Sequence, residues 1–199
     1  MRQGCVWGPA VLALISALTG CGTTPDPSFY TLSAGAEPTA NAGEGPYSVA
    51  VGPVSLPELV DRPQLVIRVG ANRVALVEQH RWAEPLRSEI PRVIADNLSR
   101  LLSTTRISAY PQSYEDNAEY RVLIDIQRFE SVLGENVTVE ALWAVRRGPA
   151  SDVRTGRSLV RMPAGAKGYD ALAAAHARAL SRMSDEIAEV IRAMHGTPR

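Results

Sequence analysis

The sequence predicts an α+β fold: two layers, with a mixed but largely antiparallel sheet and two amphipathic helices packed on one of its faces. Three observations carry this. Stretches with the two-residue alternation of strands outnumber those with helical period. The two stretches of helical period each carry a single apolar stripe, as helices lying on a sheet do. In the longest strand candidates apolar residues alternate with charged ones, the pattern of a sheet with one well-covered face.

In chain order, "FYTL" (29–32) is a short strand candidate. "YSVAVGPVSLP" is a β-type run closed by the Gly52-Pro53 and Leu56-Pro57 breakers. "LVIRV" and "RVALV" flank Gly70-Ala71-Asn72, a three-residue connection containing glycine, which signals a hairpin. The period then changes. In "WAEPLRSEIPRVIADNLSRLL", Leu86, Ile90, Val93, Ile94, Asn97, Leu98 and Leu101 fall on one helical face. Pro85 suits a first turn, whereas Pro91 inside the helix predicts a bend or a late start.

"RISAYP" is a short strand. Two long strands follow around a turn at Gly134-Glu135-Asn136. Tyr120, Val122, Ile124 and Ile126 alternate along one, and Val137, Val139, Ala141, Trp143 and Val145 along the other. "SLVRM" is a further strand. The chain closes with a helix over about 168–195, striped by Tyr169, Leu172, His176, Leu180, Met183, Ile187, Val190, Ile191 and Met194.

The start of the chain has a different character. One positive charge, Arg2, precedes an apolar run from Val6 to Leu18. That is the layout of a secretory signal, and the run is shorter than the roughly 20 apolar residues needed to span a bilayer. It ends Leu18-Thr19-Gly20-Cys21, which resembles the bacterial lipobox: a branched aliphatic, two small residues, then cysteine. That resemblance implies cleavage before Cys21, a diacylglycerol on its sulfur and usually a third acyl chain on its new amine. One chain alone holds a protein only marginally, so stable anchoring takes a second. Gly22 follows where inner-membrane lipoproteins often carry Asp, which favours the periplasmic face of the outer membrane. The organisation expected is a signal over 1–20, a tether and flexible connector over 21–46, and one globular domain over 47–199.

Composition narrows the function classes. The 199-residue chain has no formal net charge, so nothing announces nucleic acid. Its two cysteines are Cys5 in the signal and Cys21 at the anchor, which leaves no internal disulfide. There is no G-x-S-x-G elbow, no S-x-x-K, and no phosphate-cradling glycine loop. His80, His176 and His195 stand outside any zinc-ligand spacing, so no metal or other cofactor is expected. Asp125 and Glu140 share a sheet face, where they are expected to cap a solvated surface rather than act as acid and base. An enzyme is not expected. The residues that stand out are those of a contact surface: Asp61-Arg62-Pro63 before a strand, and Arg81-Trp82 at a helix entrance. Trp and Arg are enriched at binding hot spots, although Trp82 could equally pack on the core.

These stretches carry a family resemblance. "VAVGPVSLPELVDRPQLVIRV", "RWAEPLRSEIPRVIADNLSRLL", "YRVLIDIQRFESVLGENVTVEALWAVR" and "YDALAAAHARALSRMSDEIAEVI" resemble the ABC-type transport auxiliary lipoproteins, in that family's order, from about Phe29 to Ile191. The D-R-P-Q and W-A-E-P-L segments are the specific ones. The resemblance implies an auxiliary component of an envelope lipid-transport system, a docking or receiving partner between inner and outer membranes. Its partners would be a mammalian-cell-entry (MCE) domain protein and an inner-membrane transport component, and it would assemble as a homo-oligomer. It transfers no catalytic residue. Two other classes compete: a structural outer-membrane lipoprotein that scaffolds an envelope complex without handling lipid, and a periplasmic hydrolase with an unrecognised site.

Overall fold

The structure is a computed structural model that describes residues 26–33, 45–109, 118–148 and 152–196. Its elements are β1 (Ser28–Tyr30), β2 (Val49–Ser55), β3 (Gln64–Gly70), β4 (Arg73–Trp82), α1 (Leu86–Leu102), β5 (Ile107–Ala109), β6 (Tyr120–Val132), β7 (Asn136–Arg147), β8 (Asp152–Pro163) and α2 (Tyr169–His195). The α+β class holds, but there are two sheets, and both are mixed rather than largely antiparallel. The smaller runs β1-β4-β3 and the larger β5-β2-β6-β7-β8. β1 lies parallel to β4, and β2 lies parallel to both β5 and β6. Parallel neighbours far apart in the chain leave no turn signature in the sequence, whereas the antiparallel β3–β4, β6–β7 and β7–β8 pairs are local hairpins.

The hairpins are set by short-range chemistry. In the first, Gly70 pairs with Arg73, so the connection is the two residues Ala71-Asn72, with Gly70 inside β3. In the second, Val132 pairs with Asn136, and Gly134 takes φ +75°, a conformation glycine adopts without steric cost. β8 is a full twelve-residue partner of β7, longer than its "SLVRM" centre announces, and forms one edge of the large sheet.

The alternating residues of β6 and β7 face inward and are buried, among them Tyr120, Val122, Ile124, Ile126, Val137, Val139, Ala141 and Val145. A bulge between Ile126 and Arg128 shifts the register of β6. Phe129 and Ser131 are therefore buried beyond it, where strict alternation from Tyr120 would turn them outward. α1 lies against β2 and β5, α2 lies against β7 and β8, and the two helices pack on each other. Leu172, Leu180, Met183, Ile187 and Ile191 of α2 are fully buried beside Leu86, Ile90, Ile94 and Leu98 of α1. Pro91 is buried within α1, and the helix begins at Leu86, five residues ahead of it, so the expected late start is not found. Pro91 sits in the second turn, so its missing N–H withholds only the bond to the Arg87 carbonyl.

β1 belongs to this fold. Ser28, Phe29 and Tyr30 pair with His80, Arg81 and Trp82, and the Ala83 N–H donates to the Tyr30 carbonyl at 2.8 Å. Just beyond, Leu32 is buried, and its N–H donates to Glu89 Oε1 in α1 at 2.6 Å. The His80 ring stacks on Tyr169 of α2 at 3.8 Å, and its Nδ1 is 2.6 Å from the Tyr30 hydroxyl.

Candidate functional site

Two stretches distant in sequence, 61–63 and 81–85, meet beside β1. The loop before β3 contributes Asp61, Arg62 and Pro63, the end of β4 contributes Arg81 and Trp82, and the entry to α1 contributes Ala83, Glu84 and Pro85. With Phe29 of β1 they line a recess of about 420 Å³. The Trp82 N–H donates to the Pro63 carbonyl at 2.7 Å, which stitches the loop to the strand end. All five residues singled out from the sequence as a contact surface thus share one cavity wall. Phe29 was legible only as part of a strand, because the parallel β1–β4 pairing that delivers it has no local signal.

Trp82 is 6% exposed. Its ring meets Phe129 and His176 edge-on, at 6.1 and 6.2 Å between centroids, so it is a core residue with one edge in the recess wall. His176 is fully buried, and burial lowers its pKa from 6.5 to about 3, so the ring is neutral. Its Nε2 is 2.8 Å from the Ser131 hydroxyl, a pairing that keeps one polar atom satisfied in an apolar surround.

The charges at the recess are mostly paired. Arg87 Nε donates to Asp61 at 2.6 Å, Glu84 pairs with Arg92, and Arg81 donates to the Glu78 carbonyl at 2.9 Å with the Glu78 carboxylate 3.9 Å away. Arg62 differs. Its guanidinium reaches only the Glu58 carbonyl, at 3.5 Å, and its buried Nε has no partner. Among the described residues it is the one arginine at this recess without a carboxylate.

A second open surface is the outer face of the large sheet. Leu123 of β6, Leu142 of β7 and Leu159 of β8 point outward and are 37%, 45% and 60% exposed. With Asp125, Ala144, Thr155 and Arg157, the first two border a shallow concavity of about 500 Å³. The signal was in the sequence, since Leu123 and Leu142 occupy positions that the alternation reserves for polar residues. Asp125 and Glu140 lie on this face but do not work together. Ser55 and Gln127 donate to Asp125, at 2.5 and 2.6 Å, while Arg157 and Arg128 hold Glu140. The inner face is closed, and there the Trp143 indole donates to Ser158 at 2.8 Å while covering Gly156.

His80 and His195 bond tyrosine hydroxyls, the latter 3.1 Å from Tyr120. No group of three His, Cys, Asp or Glu side chains comes together among the described residues, and no helix there is long and apolar enough to cross a membrane. Leu18, Thr19, Gly20 and Cys21 lie outside the described residues.

Comparison with known proteins agrees on the fold. One solved structure, of an uncharacterised protein, superposes with TM-score 0.68 at 16% identity, covering 84% of this chain and 99% of its own. Another, a Xanthomonas campestris protein of the DUF330 family, superposes with TM-score 0.64 at 17% identity, covering 81% and 92%. No curated protein matches. The family model for the ABC-type transport auxiliary lipoprotein component matches residues 30–188, from within β1 to well into α2. With that match spanning both segments that build the recess, the chain belongs to the ABC-type transport auxiliary lipoprotein family.

Proposed function

We propose that this chain is the lipid-anchored docking component of an MCE-type transport system, held by Cys21 at the periplasmic face of the outer membrane. There it receives an MCE-domain partner coupled to an inner-membrane transport component, in the movement of lipid between the two membranes. The observation that carries the reading is the convergence of the D-R-P-Q and W-A-E-P-L segments on one recess within a transport auxiliary fold. A docking component must present surfaces rather than reactive groups. Two are open: the recess, and the outer sheet face with Leu123, Leu142 and Leu159. The sheet face is the surface left for a protein partner or for further copies of the chain, since exposed apolar strips mark interaction sites. No residue is assigned a catalytic role, and no cofactor is required.

The test is affinity purification of the tagged protein from crosslinked native membranes, with partners identified by mass spectrometry. Recovery of an MCE-domain protein together with its inner-membrane component is the expected result. Recovery of the chain alone, or of unrelated outer-membrane proteins, would favour the structural-lipoprotein reading instead.

A further inference from the structure

We infer that the recess beside β1 faces the bilayer that holds the anchor, with Arg62 taking a phospholipid phosphate and Phe29 and Leu59 entering the interfacial layer. The inference rests on acylation of Cys21 as proposed above.

Reach comes first. Phe29, which lines the recess, stands eight residues after Cys21, and eight residues span at most about 27 Å when fully extended. Because β1 is fixed to β4 in register, this short leash ends at the recess mouth rather than at a loose tail. The far end of the large sheet, where Arg147 pairs with Asp152, lies eight strand positions further along β7 than Val139, the partner of Phe129. At about 3.4 Å per residue that is roughly 27 Å of extra distance, so the leash favours the recess end as the membrane-proximal one.

Chemistry comes second. Phe29, which lines the recess, is 61% exposed, and Leu59, two residues before Asp61 in the loop that builds the recess wall, is 46% exposed. Such groups gain by burial at the headgroup and acyl boundary. The same loop carries Arg62, the recess arginine without a carboxylate, while Asp61, Glu84 and Glu78 are engaged by Arg87, Arg92 and Arg81. A guanidinium in that state suits a phosphodiester, which accepts two N–H donors in a fork. Apolar rim plus unpaired cation is the composition of a surface that lies on an anionic bilayer.

The experiment uses the acylated protein purified from membranes and reconstituted into vesicles of phosphatidylethanolamine with a minority of phosphatidylglycerol. Acylation occupies the Cys21 sulfur, so an introduced cysteine is the one free thiol for a polarity-sensitive fluorophore. Leu59→Cys reports on the recess, Glu58→Cys is a second reporter in the same loop should the first perturb folding, and Asp152→Cys reports on the far end. Vesicles carrying a headgroup spin label are expected to quench the recess reporters several-fold more than the Asp152 reporter, and Arg62→Gln is expected to reduce that quenching. Equal quenching at both ends, or stronger quenching at Asp152, would overturn the orientation. Unchanged quenching in Arg62→Gln would remove the phosphate contact. Failure of the protein to float with the vesicles would instead overturn the anchor itself, which separates that reading from this one.

Discussion

The His176 ring lies flat on Phe129, centroids 3.8 Å apart and planes 10° from parallel, with the edge of Trp82 against both. A helix residue, a residue displaced by a strand bulge and a recess wall are thereby joined in one buried cluster. Because burial holds the His176 pKa near 3, the folded protein keeps the ring neutral where the unfolded chain takes up a proton. Stability from this group is present above pH 6.5 and lost as pH falls from 6.5 toward 3, at about 1.4 kcal/mol per pH unit within that window. Denaturant titrations across the window are expected to show this slope. His176→Phe is expected to flatten it, while lowering stability near neutrality because the Ser131 hydroxyl loses its partner. Equal slopes in the two proteins would disprove the assignment.

Glu89 titrates in the opposite sense. Burial raises its pKa, opposed only in part by the hydrogen bond from Leu32, and Oε2 is buried without a partner. The folded state therefore holds its proton to higher pH than the unfolded state does. Its contribution is best at acid pH and declines as pH rises from the ordinary carboxylate value through the raised one. Glu89→Gln keeps an oxygen for the Leu32 N–H and carries no charge. It is expected to melt at or above the parent at neutral pH, with the gap closing in acid. A variant that melts lower by the same amount at every pH would show that the charge itself is useful here.

Gly156 is required by contact, not by backbone conformation. A Cβ at this position would meet the Trp143 ring at 2.2–2.7 Å, and that ring is held by its bond to Ser158. Gly156→Ala is expected to cost about 1–3 kcal/mol, the range for overpacking a well-filled interior. Denaturation monitored by tryptophan fluorescence measures it. A loss under a few tenths of a kcal/mol would mean the indole moves aside freely.

Trp82→Ala is expected to lower stability by about 3–5 kcal/mol, as for a buried large aromatic cut to a methyl group. The loss should be read by calorimetry on purified protein. Arg62→Gln, whose side chain holds no carboxylate, should leave the melting temperature within a degree or two. Equal losses in both would show that the loop before β3, rather than the Trp82 ring, organises this corner.

Cys21→Ser is expected to leave the domain folded and to release it from the membrane fraction. Membrane pelleting and circular dichroism on the same preparation check both halves. Continued pelleting of the variant would end the lipobox reading.

Much of this was readable from residues that are neighbours in sequence. The α2 stripe predicted 168–195 and the helix spans Tyr169–His195, because helical period is a local property. The β6–β7 hairpin was equally plain, since alternation and a glycine turn act over a few residues. The division into two sheets was not readable. It depends on Ser28 meeting His80 and Val49 meeting Tyr120, pairings made by parallel strands with no connecting turn. The contact residues Asp61 to Pro63 and Arg81 to Trp82 stood out by type, and the β3–β4 hairpin, with Gln64 opposite Arg81, brings them together; only Phe29 reaches the recess through the β1–β4 pairing. Phe129 facing inward was hidden by the bulge after Ile126, which reverses the alternation without a glycine or proline to mark it.

The position of α2 after every strand of both sheets bears on the order in which the fold closes. Its fully buried side chains, from Leu172 to Ile191, cover the inner face that β7 and β8 build earlier, and α1 packs against it as well. Until that helix has been synthesised, the nascent chain has a sheet face and a helix stripe with nothing to close over them. A polypeptide in that state has not buried its core, and the fold closes only when α2 docks.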